Sequence, residues 1–373
     1  MTIPKRSAAV RILMTVDAVG GVWRYAMDLA ASLQQPRGFE FLFVGLGPQP
    51  SDHQQREASE LGQLRWLDAP LDWMVKSEGE LSHVGPQIAD LSRAEAVDLL
   101  HLNLPSQAAV IDTDLPVIAM SHSCVVTWFA GVRGEPVPAD WQWHHAINRR
   151  GLLRADLALA PSRNHARMLE EAYAEIDRLH VVYNSSRSAQ TSDSKDLLVS
   201  AAARWWDDGK NGRVLDEAAA STAWPIIMAG PNTGPDGQIL PIRHARHLGE
   251  LSHDDVMALM RHSSIFVSPS IYEPFGLAAL EAARAHNALV LSDIGTYREL
   301  WDGAALFADP GDATALAAAI NRLCRDDDLR TELAAKAAER SKRFDLSSQA
   351  EAMAGLYAGL LQRNSALSAA EVP

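Results

Sequence analysis

Two doubly wound α/β sheets are the fold this 373-residue sequence predicts, and three observations predict it. Short apolar runs alternate with helix-length stretches; the alternation starts afresh in the second half; and a polar segment without apolar period separates the two series. Parallel strands need crossover connections and bury both faces, so strand–helix alternation reads as parallel sheets covered by helices.

Taken in order, the first series comprises strand-like residues 11–16, a helix at 21–33, strands at 39–46 and 99–102, then 117–121 and 157–160. The polar segment 185–195, S-S-R-S-A-Q-T-S-D-S-K, cannot bury a core and reads as the linker. The second series follows at 197–202, 225–229, 246–248, 265–267, 289–292 and 305–307. It reads as another Rossmann-like sheet. A helical pattern at 347–361 comes after that sheet closes, and a frayed tail is expected over 364–373. The predicted domains are therefore 1–185 and 196–345, with a closing helix at 346–363.

With 47% hydrophobic residues the chain is long enough for two cores of ordinary size. The formal charge of −13 is spread over both halves, which argues against nucleic acid and against adhesion to anionic lipid. Membrane contact is at most peripheral, through Arg149, Arg150 and Arg154. Two cysteines, Cys124 and Cys324, have neither CxxC nor Cys/His spacing, so no disulfide framework or structural zinc is expected. Residues 8–16 are too short and too charged for a signal peptide or a spanning helix. A cytoplasmic protein is the expectation.

The richest segment is Ser268 to Glu281, S-P-S-I-Y-E-P-F-G-L-A-A-L-E. It ends an apolar strand with a carboxylate, Glu273, and opens a helix with Pro274 in the first turn, where a missing N–H is harmless. The N–H groups of Phe275, Gly276 and Leu277 then become donors for a phosphate at a helix start. Eight helical positions span roughly 12 Å, more than the roughly 5 to 9.5 Å between paired carboxylates that hydrolyse glycosides. Glu273 and Glu281 are therefore expected to grip opposite ends of one long ligand, such as a sugar joined through a diphosphate to a ribose.

This segment resembles the E-x-F-G-x-x-x-x-E signature of the retaining family-four glycosyltransferases of GT-B fold (glycosyl transferases group 1). The resemblance implies two Rossmann-like domains facing across a cleft, the first binding acceptor and the second nucleotide-sugar. It assigns Glu273 to the transferred sugar, Glu281 to the ribose hydroxyls, and the backbone of Phe275, Gly276 and Leu277 to the diphosphate. It also implies that the closing helix packs back on the first domain. One departure is visible: where the family has a glycine and a proline before its next strand, this chain has His286 and Ala288.

Other candidates sit at predicted strand ends, where open α/β sheets bind ligands. Arg204 and Lys210, in A-A-A-R-W-W-D-D-G-K-N, share one loop and can both reach a diphosphate; the family places its phosphate-neutralising cations here. Gly20 and Gly21 let a backbone approach a ligand between strand and helix, and resemble the family's glycine-rich donor loop. G-x-G-x-x-G is absent, against a dinucleotide oxidoreductase. His122 follows a strand and resembles the family histidine that contacts the transferred sugar. His101, Asn103 and Trp128 are weaker acceptor candidates, and Trp141 and Trp143 are further rings able to stack on a sugar.

The expected reaction is transfer of a hexose from a nucleoside-diphosphate sugar, UDP-sugar favoured and GDP-mannose possible, to a hydroxyl of an unidentified acceptor: a sugar, a glycan, a lipid-linked sugar or a small metabolite. No Asp-x-Asp metal motif is read in the sequence, so no obligatory metal or other cofactor is expected. The alternatives are a non-catalytic nucleotide-sugar or glycan-binding protein, and a GT-B-fold epimerase or phosphorylase. The sequence is silent on oligomeric state.

Overall fold

The computed structural model describes residues 9–370 except 35–36, 188–190, 193 and 236. Two compact units emerge. One comprises the chain up to Ala130, Glu135–Ser185 and the segment from Leu346 onward; the other comprises Gly131–Gly134 and Ser186–Asp345.

Seven strands form the sheet of the first unit: β1 Val10–Val16, β2 Phe39–Gly45, β3 Gln63–Trp66, β4 Leu99–Leu102, β5 Val117–Met120, β6 Leu157–Ala160 and β7 Leu179–Val181. All pairs are parallel, in the order β3-β2-β1-β4-β5-β6-β7. Strand order therefore reverses between β1 and β4, and there the crossovers leave a crevice at the strand C-termini. β1 shows why the sheet is covered twice. Ile12, Met14 and Val16 enter one core cluster while Leu13 enters the cluster on the opposite face. Short β3 and β7 at the two edges have half-exposed side chains and no counterpart in the sequence reading.

The second unit holds β8 Asp196–Ala202, β9 Ile226–Ala229, β10 Arg246–Gly249, β11 Ser263–Ser268, β12 Ala288–Ser292 and β13 Ala305–Ala308. They are parallel in the order β10-β9-β8-β11-β12-β13, so the reversal lies between β8 and β11. Each of these strands was anticipated by the second apolar series.

The terminal helix Leu346–Ala370 belongs to the first unit. Its Ala350, Met353, Ala354, Tyr357 and Leu360 recur at helical spacing and join Trp23, Tyr25 and Met27 of the helix Gly21–Gln34 in one core cluster. Burying residues such as Met353 and Leu360 stabilises by about 1.5–3 kcal/mol each. The tail expected to fray is helical through Ala370; residues 371–373 lie outside the described residues.

The expected linker is not loose at its start. Ser185 is buried and its hydroxyl donates to Gln349 Oε1 at 2.6 Å, tying it to the terminal helix. Linker positions 188–190 and 193 lie outside the described residues. The basic cluster on the helix Gln142–Arg154 is also consumed internally. Arg149 donates to the Tyr173 carbonyl, Arg150 pairs with Glu78 and Arg154 donates to the Thr113 carbonyl. Among the described residues no helix is long and apolar enough to cross a membrane.

Candidate active site

In the second unit the sequence candidates converge at the crevice between β8 and β11. β8 ends at Ala202 and leads into the loop carrying Arg204 and Lys210; β11 ends at Ser268 and leads into the loop carrying Glu273. Lys210 Nζ meets Glu273 Oε2 at 2.6 Å, and both side chains keep partial exposure, 19% and 15%. The ion pair thus bridges two neighbouring strand ends where ligands bind open sheets.

Both loops are tightly positioned. The Gly209 carbonyl accepts the N–H groups of Ile271 and Tyr272, at 2.9 and 3.4 Å. Asp207 caps the short turn Asp208–Lys210 by accepting from Gly209 N at 2.9 Å. Asn211 adopts a left-handed backbone, φ 56°, which asparagine tolerates better than most side chains, and its amide donates to the carbonyls of Pro269 at 3.0 Å and Pro310 at 2.7 Å. Nothing in the sequence reading singled out Asn211. A Gly-Lys-Asn-Gly turn in the loop that follows β8 was the available signal.

The helix of the signature starts later than expected. Pro274 is not in its first turn: the helix runs Leu277–Arg284, with Gly276 as the residue before it at φ 91°. Its open N–H groups thus begin at Leu277, while Phe275 and Gly276 precede the helix. Gly276 is required twice over, by its left-handed backbone and because a Cβ there would lie 2.8 Å from the Tyr297 ring. Tyr297 is fixed in turn by a 2.5 Å hydrogen bond between its hydroxyl and that of Ser268. The Phe275 ring is buried edge-on against Phe344 at 5.6 Å, so its side chain anchors the loop and leaves only the backbone for a ligand.

Glu281 is 8% exposed rather than on a solvated helix face. Its Oε1 lies 3.9 Å from Nε2 of His253, in the first turn of the helix His253–His262, a neighbour the sequence reading missed. Arg204 does not join Lys210. Its guanidinium lies 3.6 Å from Asp207 and 5.4 Å from the centroid of the Trp206 ring. The departure at His286 keeps the turn a glycine would make. His286 has φ 60°, and the N–H groups of His286 and Asn287 close back on Ala283 and Ala282 at 3.0 Å each, a Schellman cap.

In the first unit, His122 follows β5 at the C-terminal edge of the sheet and is partly exposed. Its Nε2 lies 2.9 Å from Asn103 Oδ1. Asn103 follows β4, is 2% exposed and donates through Nδ2 to the Thr15 carbonyl at 2.6 Å. The expected acceptor contact of Asn103 is therefore replaced by a supporting role behind His122. His101 is wholly buried, with Nδ1 2.6 Å from the Tyr357 hydroxyl and Nε2 3.4 Å from that of Tyr25, so it too is internal rather than an acceptor contact. Burial is the main cause that pushes His122 down to about 3, with His101 and His165 adding to it, and burial alone puts His101 at about 3. Both imidazoles are neutral at physiological pH.

Gly20 and Gly21 are exposed where β1 gives way to the helix Gly21–Gln34, and neither has a left-handed backbone. Trp128 is partly exposed, edge-on to Phe129 at 5.3 Å. Trp143 and Trp141 stack on buried His144 at 3.6 and 5.2 Å and so contribute to packing.

Contrary to the expectation that no such motif appears, an Asp-x-Asp spelling occurs at Asp112–Asp114. Both carboxylates are exposed on the turn leading into β5, at the edge of the sheet opposite the strand C-termini. Among the described residues no group of three or more His, Cys, Asp or Glu side chains is placed to hold a metal ion. Lys195 precedes β8, at the end of that strand away from the candidate site. It donates to the carbonyls of Ala285 and Met260 at helix ends, and burial lowers it to about 8.

The family model for Glycosyltransferase Family 4 matches residues 19–185 and that for Glycosyl transferases group 1 matches residues 238–340. Over 142 residues the chain is 38% identical to the glycogen synthase of Mycobacterium tuberculosis, covering 35% of this chain and 34% of that protein. Over 119 residues it is 35% identical to the phosphatidyl-myo-inositol mannosyltransferase of Mycobacterium leprae, covering 31% and 32%. The chain thus spans about a third of the length of these curated relatives. Among solved structures, sucrose-phosphate synthase from Thermosynechococcus elongatus superposes with TM-score 0.79 at 18% identity, covering 95% of this chain and 100% of the other. HepE of Anabaena, in complex with UDP and glucose, gives 0.74 at 18% identity, covering 94% and 100%. With each unit matched by its own family model and both sheets wound as GT-B requires, the chain belongs to the group 1, family-four glycosyltransferases of GT-B fold.

Proposed function

We propose that the chain transfers a hexose from a nucleoside-diphosphate sugar to an acceptor hydroxyl with retention of anomeric configuration. The observation that carries this reading is the Lys210–Glu273 pair across the ends of β8 and β11, next to the N-terminus of the helix Leu277–Arg284. A diphosphate brings the negative charge that draws Lys210 away from Glu273. The released carboxylate then accepts hydrogen bonds from sugar hydroxyls. Lys210, Arg204 and the open N–H groups from Leu277 onward stabilise the charge that grows on the departing diphosphate, and Glu281 takes the ribose hydroxyls. His122, Gly20 and Gly21 are proposed as ligand contacts of the first unit, on their positions at strand ends.

A UDP-sugar is the favoured donor, with GDP-mannose second, and no divalent ion is required in this reading. The acceptor is a sugar, glycan, lipid-linked sugar or small metabolite bearing a free hydroxyl. A cytoplasmic setting accompanies it, in keeping with two free thiols.

Thermal denaturation with a panel of nucleoside diphosphates tests the donor site. A ligand at about 100 times its dissociation constant stabilises by about 2.7 kcal/mol, and a flat response to every nucleotide refutes the site. Incubation with labelled nucleotide-sugars then separates transfer from hydrolysis, rearrangement or mere binding. Activity that survives a chelator supports the metal-free mechanism; loss restored by manganese refutes it.

A further inference from the structure

Imidazole can present a lone pair or a proton at a given nitrogen, and which one it presents is set by what holds the other nitrogen. At His122 the holder is Asn103, and the orientation of that amide is itself determined. Asn103 Nδ2 lies 2.6 Å from the Thr15 carbonyl oxygen, which only accepts. Reversing the amide would press Oδ1 against that oxygen. The backbone is tied to the same residue, since Asn103 N–H donates to Thr15 Oγ1 at 2.7 Å and that hydroxyl gives its own proton to Gln107 Oε1 at 2.7 Å. Thr15, Asn103 and Gln107 are all buried, so water does not compete for these bonds.

With Oδ1 facing it at 2.9 Å, His122 Nε2 must be the nitrogen that carries hydrogen. The groups around the ring add no second proton. Tyr25, from the helix Gly21–Gln34, packs edge-on at 4.4 Å, His101 belongs to β4 and His165 to the helix Arg163–Tyr173; the two histidines disfavour a charge on His122, as does burial. Among the described residues no protein group bonds Nδ1, and His122 keeps partial exposure, so Nδ1 is the ring nitrogen left to meet a ligand.

We infer that Asn103, held by Thr15, is a positioning residue that fixes His122 as the Nε2–H tautomer, so that Nδ1 meets the ligand as a hydrogen-bond acceptor selective for a hydroxyl. The ligand clause rests on the glycosyltransferase reading above; the tautomer does not. A lone pair at Nδ1 repels phosphate oxygens and carbonyls and accepts from a sugar hydroxyl. It also removes His122 from proton donation at Nδ1, leaving it to orient the sugar.

The test is nitrogen NMR of the full chain labelled in its histidine rings, with His122→Gln used to assign the resonance. Wild type is expected to show protonated Nε2 and bare Nδ1 from pH 8 down to 5. Asn103→Leu should release the tautomer into a mixture, and Asn103→Asp, which keeps the acceptor and adds charge, should bring a doubly protonated ring at higher pH. Backbone spectra confirm that each variant is folded. In a transferase assay both variants should raise KM for the sugar substrate about tenfold or lower kcat likewise, and Asn103→Asp should add an acid limb to the pH profile. A wild-type ring protonated on Nδ1, or an unchanged tautomer in folded Asn103→Leu, overturns the device. A fixed Nε2–H tautomer in a chain that binds and transfers no sugar refutes the proposed function and the hydroxyl clause while leaving the tautomer standing.

Discussion

The two units are built on the same parallel topology yet prepare their strand ends in opposite ways. The first unit surrounds its candidate residues with neutral groups: His101, His122 and His165 are each pushed down to about 3 and His144 to about 4, burial being the first cause throughout. The second unit keeps charges and sets them against one another, Lys210 on Glu273 and Arg204 on Asp207. A neutral, hydrogen-bonded pocket suits hydroxyl recognition, whereas exchangeable ion pairs suit a ligand that arrives with its own charge. The contrast can be tested at five points.

The largest effect is expected at the ion pair. Lys210→Ala should lower kcat/KM on the order of 10²–10³-fold, because it removes a preorganised positive charge from the leaving group. Steady-state kinetics with the donor identified by thermal shift measures it, and activity within threefold of wild type would remove Lys210 from the mechanism. Glu281→Ala should instead weaken nucleotide binding, read as a smaller thermal shift with the same diphosphate.

Acid should distinguish the units next. A histidine whose folded value lies below its unfolded value of about 6.5 binds protons preferentially when unfolded, so stability is full above that pH and falls as pH drops toward 4. His101, His122, His144 and His165, lowered in this way, lie in the first unit. Hydrogen exchange resolved by segment, at pH 7 and pH 5, should show protection lost across β4, β5 and β6 before β8, β11 and β12. Equal loss in both units would contradict the contrast.

Gly276→Ala tests how rigidly the second unit holds its phosphate-facing turn. The left-handed backbone and the close Tyr297 ring together predict about 2 kcal/mol of destabilisation by denaturant titration. The smallest effect has the opposite sign. His286→Gly should stabilise by about 1 kcal/mol, since it relieves a left-handed non-glycine residue at a helix end while keeping the cap. No gain would mean that the His286 side chain makes up for its backbone.

The alternation of apolar runs was enough to place the second sheet strand for strand, because its strands are separated by helices with clear punctuation. The first sheet was only partly legible. Q-L-R-W at β3 and L-H-V at β7 lie on sheet edges, where one flank is solvent and the apolar signal fades. Of the candidate residues, chemical type and strand-end position could be read, but partnership could not. Lys210 and Glu273 are 63 positions apart and His122 and Asn103 are 19 apart, so nothing local announced either bond. Pro274 suggested a helix start, and the left-handed Gly276 moved it three residues on.

The terminal helix also governs when the protein can mature. Tyr357 bonds His101 across 256 positions, and the core beneath it combines residues 12 and 360, so the first unit to leave the ribosome is the last whose contacts can all exist. Ser186–Asp345 is synthesised whole before that helix emerges. Its sheet can close while the earlier-made half still waits for its final segment, an order of assembly that reverses the order of translation.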